Sequence, residues 1–180
     1  VTMLRKPLLL AARSQACRTI VERTPVTRAM VKRFVAGSTQ EEALPAVGEL
    51  TRDRHVTLDF LGEDTTDTAQ AEATVTAYRD LLAALGEAGL AERAEVSVKL
   101  SAVGQFLNRD GEKIALENAR QIAEAAKAVG TTVTLDMEDH TTVDSTLGIL
   151  RELRQDFPFV GAVLQAYLRR TEADCLTSCE

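Results

Sequence analysis

The sequence has no run approaching ~20 apolar residues, the length a membrane-spanning helix requires, so no span is expected. The one stretch that resembles a secretory leader is Arg5 and Lys6 followed by PLLLAA. Its apolar run extends only from Leu8 to Ala12 before Arg13 and Arg18 introduce charge, and a helix is the expected reading. An excess of basic charge is also missing. Twenty-one Lys and Arg stand against 27 Asp and Glu, giving a formal net charge of -6 and a pI near 5.1. That balance excludes nucleic acid as a partner and leaves at most peripheral membrane contact. Cysteines number three, Cys17, Cys175 and Cys179. An odd count without close pairing marks a reducing compartment rather than a disulfide framework. No His or acidic set completes a metal site beside Cys175 and Cys179, so free thiols in a cytoplasmic protein are expected, with no metal. A glycine-rich phosphate loop is lacking too. Gly62 is followed by Glu63 and Asp64, which would repel a phosphate and so argue against an open dinucleotide-binding sheet.

What the sequence does contain is 45% hydrophobic and 27% charged residues over 180 positions, enough for one domain with a sizeable core. Four apolar runs each carry a polar residue near their end: VTLDFLGED, VSVKL, VTLDMED and AVLQAY. Strand side chains alternate between faces, so Val96, Val98 and Leu100 point one way while Ser97, Lys99 and Ser101 point the other. The same count puts Asp59, Asp136 and Gln165 in step with Lys99. Buried parallel strands normally read as near-continuous hydrophobic runs, and a lysine with two carboxylates inside them is costly unless these groups serve one another or a ligand.

The spacing predicts helical structure from Leu8 to Val35 with a break at Pro25, a stop at Gly37 and Ser38, and a short helix from Gln40 to Leu50. Strand and helix then alternate. Strands are expected at Val56 to Leu61, Glu95 to Leu100, Thr132 to Met137 and Val160 to Gln165. Helices are expected at about Thr68 to Leu85, Glu112 to Val129, Val143 to Asp156 and from Thr171. Asp110 and Thr142 are candidate N-caps and Gly130 a C-cap. Ile114, Ala115, Ala119, Ile122, Ala123 and Ala126 give one helix a buried face. Alternation without hairpin signals implies right-handed crossovers and a parallel sheet. A barrel places reactive groups at the carboxyl ends of several strands, where Asp59, Lys99, Asp136 and Gln165 fall. The expected fold class is therefore α/β: a partial (β/α)8 TIM-type barrel of four βα units over residues 51–180, preceded by an N-terminal helical segment over residues 1–50.

Each polar residue also has a structural reading. Lys99 and Asp136 could form an ion pair without catalytic use, Gln165 could satisfy buried backbone, and Met137 could fill core. Asp59 could be an inward polar residue or a cap, and no catalytic role is assigned to it. His140 reads as a solvated loop histidine. Arg169 and Arg170 suggest a carboxylate clamp, but lining a loop or a solvent face is the preferred reading.

Taken together, VSVKLSA, TLDMEDHTTVD and VLQAYLRRTEAD resemble the first half of the proline dehydrogenase barrel in its bacterial single-function form. The resemblance implies a distorted (β/α)8 barrel holding FAD and oxidising L-proline to 1-pyrroline-5-carboxylate, with a quinone-type electron acceptor. It assigns Lys99 to the proline carboxylate as a catalytic and substrate-binding residue, and Asp136 to the catalytic position beside it. Met137 and Gln165 match FAD-binding positions. The sequence after Asp174, CLTSCE, departs from the family, which continues into a fifth strand. Four strands against the ~250 residues of a whole barrel correspond to about half of it, so weak FAD binding and self-association are expected of this segment alone. Two other readings remain: a non-catalytic half-barrel, and a barrel lyase or aldolase using Lys99 as a Schiff-base amine. The carboxylate of Asp136 argues against the last, because it holds lysine protonated.

Overall fold

The computed structural model describes residues 35–37, 39–62 and 65–178. Of the helical stretch expected from Leu8 to Val35, all but Val35, which is not helical, lies outside the described residues, as do Ser38, Glu63, Glu180 and the thiols of Cys17 and Cys179. The chain separates into two compact units after Ala46. Helix α1, Gln40–Leu50, runs across that boundary. Glu41 and Glu42 in its first turn complement the helix dipole, and the Thr39 hydroxyl accepts from Glu42 N at 3.4 Å.

In the second unit strands and helices alternate as β1 (Val56–Asp59), α2 (Thr68–Glu87), β2 (Ala94–Lys99), α3 (Gly111–Val129), β3 (Val133–Asp136), α4 (Val143–Asp156), β4 (Val160–Ala162) and α5 (Thr171–Ser178). A 3-10 turn at Leu100–Val103 follows β2. The four strands form one parallel sheet in the order β1-β2-β3-β4, as expected for consecutive βα units. One sheet face carries Val96, Val98, Val133, Leu135 and Val160, all buried. Against it pack Tyr78 and Leu82 of α2, the alanine-rich stripe of α3 and Leu147, Leu150 and Leu153 of α4. Ala115, Ala119, Ala123 and Ala126 keep the helix surface low, so α3 can lie close to the sheet while Ile122 fills the space between; Ile114 is only half-buried.

β2 keeps its expected length and shifts by one residue, but β1, β3 and β4 are shorter than the sequence suggests, for a local reason. β1 ends at Asp59 rather than Leu61 because the amide of Phe60 donates to the Tyr78 hydroxyl at 3.2 Å instead of continuing the ladder. β3 ends at Asp136 and β4 at Ala162, leaving Met137 and Gln165 beyond the strands. Val163 N still donates to Leu135 O at 2.9 Å, but Met137 N turns to the Asp136 carboxylate at 3.0 Å. Side chains have taken over from the ladder at the carboxyl ends.

Gly130 closes α3 in the left-handed conformation as expected. Asp110 and Thr142 stand at helix starts, yet neither side chain caps: Asp110 is itself left-handed, and the Thr142 hydroxyl donates to Asp139 O at 2.9 Å. Asp67 does cap, accepting from Gln70 N at 2.9 Å at the start of α2, as the Thr39 hydroxyl does more weakly for α1.

Gly104 ends the turn after β2 at φ +110°, and a Cβ there would meet Ile114 at 3.0 Å and Leu107 at 3.2 Å. Gly104→Ala should therefore cost about 1–3 kcal/mol through backbone strain and crowding together. A lower urea midpoint with unchanged slope is the expected result; an unchanged midpoint would show that the turn relaxes freely.

Candidate active site

The sheet face opposite the core is polar, because every second residue of β1, β2 and β3 is hydroxylated or charged. At the amino end, Glu95 on β2 accepts from the hydroxyls of Thr57 at 2.9 Å, Thr132 at 2.5 Å and Thr134 at 3.3 Å, which ties three strands together. A shallow cleft lined by His55, Arg93, Glu95 and Thr132 lies at that same end, away from the charged cluster at the carboxyl ends.

At the carboxyl ends, Lys99 pairs in register with Asp136, and Asp59 with Ser97. The Lys99 ammonium forms an ion pair with Asp59 and lies 3.8 Å from the Asp136 carboxylate, so one cation sits between two acids from the flanking strands. The lysine side chain is 14% exposed, with Asp59 at 29% and Asp136 at 32%. Sequence reasoning placed Asp59 in step with Lys99 and Asp136 but assigned it no catalytic role and missed that it is paired directly with the lysine. A signal was present: β1 and β3 carry the same tetrapeptide, VTLD, and flank β2 on either side. Two identical strands bracketing a lysine place their terminal aspartates around it.

Tyr78, fully buried on α2, was also missed. Its hydroxyl donates to Ser97 O at 2.6 Å, accepts from Phe60 N and lies 3.4 Å from Asp59 Oδ1. Burial, with the charge of Asp59 adding to it, pushes the phenol well above its ordinary range, so it remains a neutral clamp between β1 and β2. Glu138 does similar work between β2 and β3. Its carboxylate accepts from Ser101 N at 3.2 Å and from Ser101 Oγ at 2.7 Å.

Gln165 donates from Nε2 to the carbonyls of Met137 and Glu138, both at 3.3 Å. Those two bonds orient the amide, and they leave Oε1 buried and without a donor among the described residues. A buried acceptor in that state is costly, and a water or a ligand N–H can satisfy it. Met137 is 6% exposed, its side chain within the hydrophobic core and its carbonyl serving Gln165.

The other charged candidates are occupied or solvated. Arg170 binds Asp174 through Nε at 2.6 Å and Asp144 through Nη2 at 2.6 Å, linking α5 to the start of α4. Arg170 holds the Asp144 carboxyl below its ordinary range, and its hydrogen bonds to Asp174 first and Asp144 second raise the guanidinium above its own. Arg169 is exposed, and His140 lies in an exposed loop 3.2 Å from Asp139. Among the described residues no helix is long and apolar enough to cross a membrane.

A parallel four-stranded sheet backed by helices, with its charged cluster at the strands' carboxyl ends, defines a sector of a (β/α)8-type enzyme barrel. The sequence profile of the proline dehydrogenase family matches residues 43–179, and the chain belongs to that family. It is 43% identical over 148 residues to proline dehydrogenase of Deinococcus radiodurans, covering 81% of this chain and 47% of that protein. It is 37% identical over 149 residues to proline dehydrogenase 1 of Bacillus subtilis strain 168, covering 82% and 48%. The chain thus spans about half the length of these relatives. Among solved structures, proline utilization A from Bdellovibrio bacteriovorus inactivated by N-propargylglycine superposes with a TM-score of 0.76 at 26% identity, covering 84% of this chain and 18% of that one.

Proposed function

We propose that the chain supplies the Lys99 half of the active site in a cytoplasmic, FAD-dependent proline dehydrogenase that oxidises L-proline to 1-pyrroline-5-carboxylate. The observation that carries this reading is the Lys99 ammonium held between Asp59 and Asp136 at the strand ends of a proline dehydrogenase family member. Lys99 attracts and orients the proline carboxylate, and Asp136 keeps the cation in place from the β3 side. The orphaned Oε1 of Gln165 fits an N–H on the edge of a flavin ring, and Met137 would contribute through its main chain, whose carbonyl orients the Gln165 amide. FAD, when bound, supplies the acceptor for the hydride leaving proline. A quinone-type acceptor then takes the electrons onward. Use of Lys99 as an imine-forming amine is disfavoured, since two carboxylates rather than one stabilise its protonated form.

The natural gene product carrying this sequence should purify yellow and reduce a quinone analogue when given L-proline. A colourless protein that binds no added FAD and leaves proline unchanged would overturn the reading. A borohydride-trappable adduct at Lys99 with a carbonyl substrate would replace it with the imine chemistry.

A further inference from the structure

We propose that Asp59 is a positioning residue that holds the Lys99 ammonium between the strands and prevents it from closing onto Asp136. This rests on the reading of Lys99 as the group that receives the substrate carboxylate. A lysine ammonium is a compact charge on a flexible four-carbon stem, so a single neighbouring carboxylate draws it fully to one side. Here the direct ion pair is with Asp59, while Asp136 stands at 3.8 Å on the opposite flank. The Asp136 carboxylate is partly engaged elsewhere, accepting from Met137 N at 3.0 Å.

Asp59 is suited to this task because its own position is fixed. It is the last residue of β1, in register with Ser97 and two residues short of Lys99 along β2. The Tyr78 hydroxyl reaches the carbonyl of Ser97 and the amide of Phe60, the residue after Asp59, and passes 3.4 Å from the Asp59 carboxylate. A fully buried aromatic side chain therefore locks the end of β1 onto β2 at the point where the carboxylate meets the ammonium. Among the described residues, Lys99 pairs with Asp59 from β1 and Asp136 from β3; Glu138, further along, is bound to Ser101. Without Asp59, Asp136 keeps the cation and competes with the substrate for it.

The test is a double-mutant cycle in the flavin-loaded natural gene product, using Asp59→Ala, Lys99→Met and the pair together. Asp59→Ala should lower kcat/KM for proline by about tenfold or more, chiefly through KM, the scale of one charge-assisted hydrogen bond. Asp59→Asn should recover part of the loss, because its amide oxygen still accepts from Lys99. In the Lys99→Met background Asp59→Ala should change kcat/KM by less than about twofold, since residues acting through one contact are not additive. Flavin content and melting temperature should hold in every variant. Additive losses, or an early melt that is the same whichever residue stands at position 99, would overturn the proposal. A second readout needs no turnover: acetylation of Lys99 by acetic anhydride, followed by peptide mass spectrometry, should accelerate several-fold in Asp59→Ala. An unchanged labelling rate sinks the positioning role, whereas a wild-type protein that ignores proline while the labelling shift appears sinks only the substrate assignment.

Discussion

Lys99→Met is expected to weaken proline binding by at least ~1.5 to 3 kcal/mol, the range for a hydrogen bond to a charged group, with flavin content little changed. Methionine preserves most of the stem's packing and removes the cation, which is what makes the substitution informative. It also leaves Asp59 and Asp136 facing one another without the ammonium that lies between them. Two carboxylates without that cation repel an incoming carboxylate, so the loss should exceed that of a neutral hydrogen bond. Asp136→Asn should lower turnover while the yellow colour persists, because it disturbs the lysine more than the flavin contact at Gln165. Steady-state kinetics with proline and absorbance of the bound flavin measure both. Wild-type activity in both variants would make the cluster a structural ion pair.

The largest stability effect is expected at Tyr78. Tyr78→Ala should cost about 3–5 kcal/mol, as for other large core truncations, because the ring is fully buried between α2 and the sheet. Tyr78→Phe keeps the ring and isolates the hydroxyl's share. It strips a partner from Phe60 N and Ser97 O, and about 1–3 kcal/mol should be lost. The same residue predicts a pH dependence. Burial raises the phenol in the folded state, whereas the unfolded chain releases that proton near pH 10. The stability it contributes is complete below that pH and declines above it, by up to ~1.4 kcal/mol per pH unit. Denaturant titrations between neutral pH and pH 11 should show the decline in the wild type and its loss in Tyr78→Phe. Parallel curves for the two proteins would show that the phenol titrates alike folded and unfolded.

Helices were legible where composition and periodicity act locally. α4 spans Val143–Asp156 and α1 Gln40–Leu50 as the spacing predicts, because a stripe of apolar residues and a cap or breaker depend on near neighbours alone. Strand ends were not legible in this way. The runs through Leu61 and Gln165 satisfy β-propensity, yet the ladder stops at Asp59 and Ala162. Phe60 N goes to the Tyr78 hydroxyl, while at the sheet's other edge Gln165 folds back to bond the carbonyls of Met137 and Glu138. The capping residues divided likewise. Gly130 was readable from its lack of a Cβ, whereas Asp110 and Thr142 have capping chemistry and make no cap, since their backbone conformations turn the side chains elsewhere.

By itself the sequence determined the parallel α/β alternation, the core stripe of α3 and the presence of Lys99 and Asp136 at neighbouring strand ends. Period-two and helical patterning are properties of consecutive residues, and burial follows from them. The tertiary structure decided that Asp59 pairs directly with the lysine, that Tyr78 holds the strand bearing it, and that Gln165 presents a buried acceptor. These depend on strand register and on contacts between residues 19 to 40 positions apart, distances over which the pattern of neighbouring side chains carries no information about which groups meet.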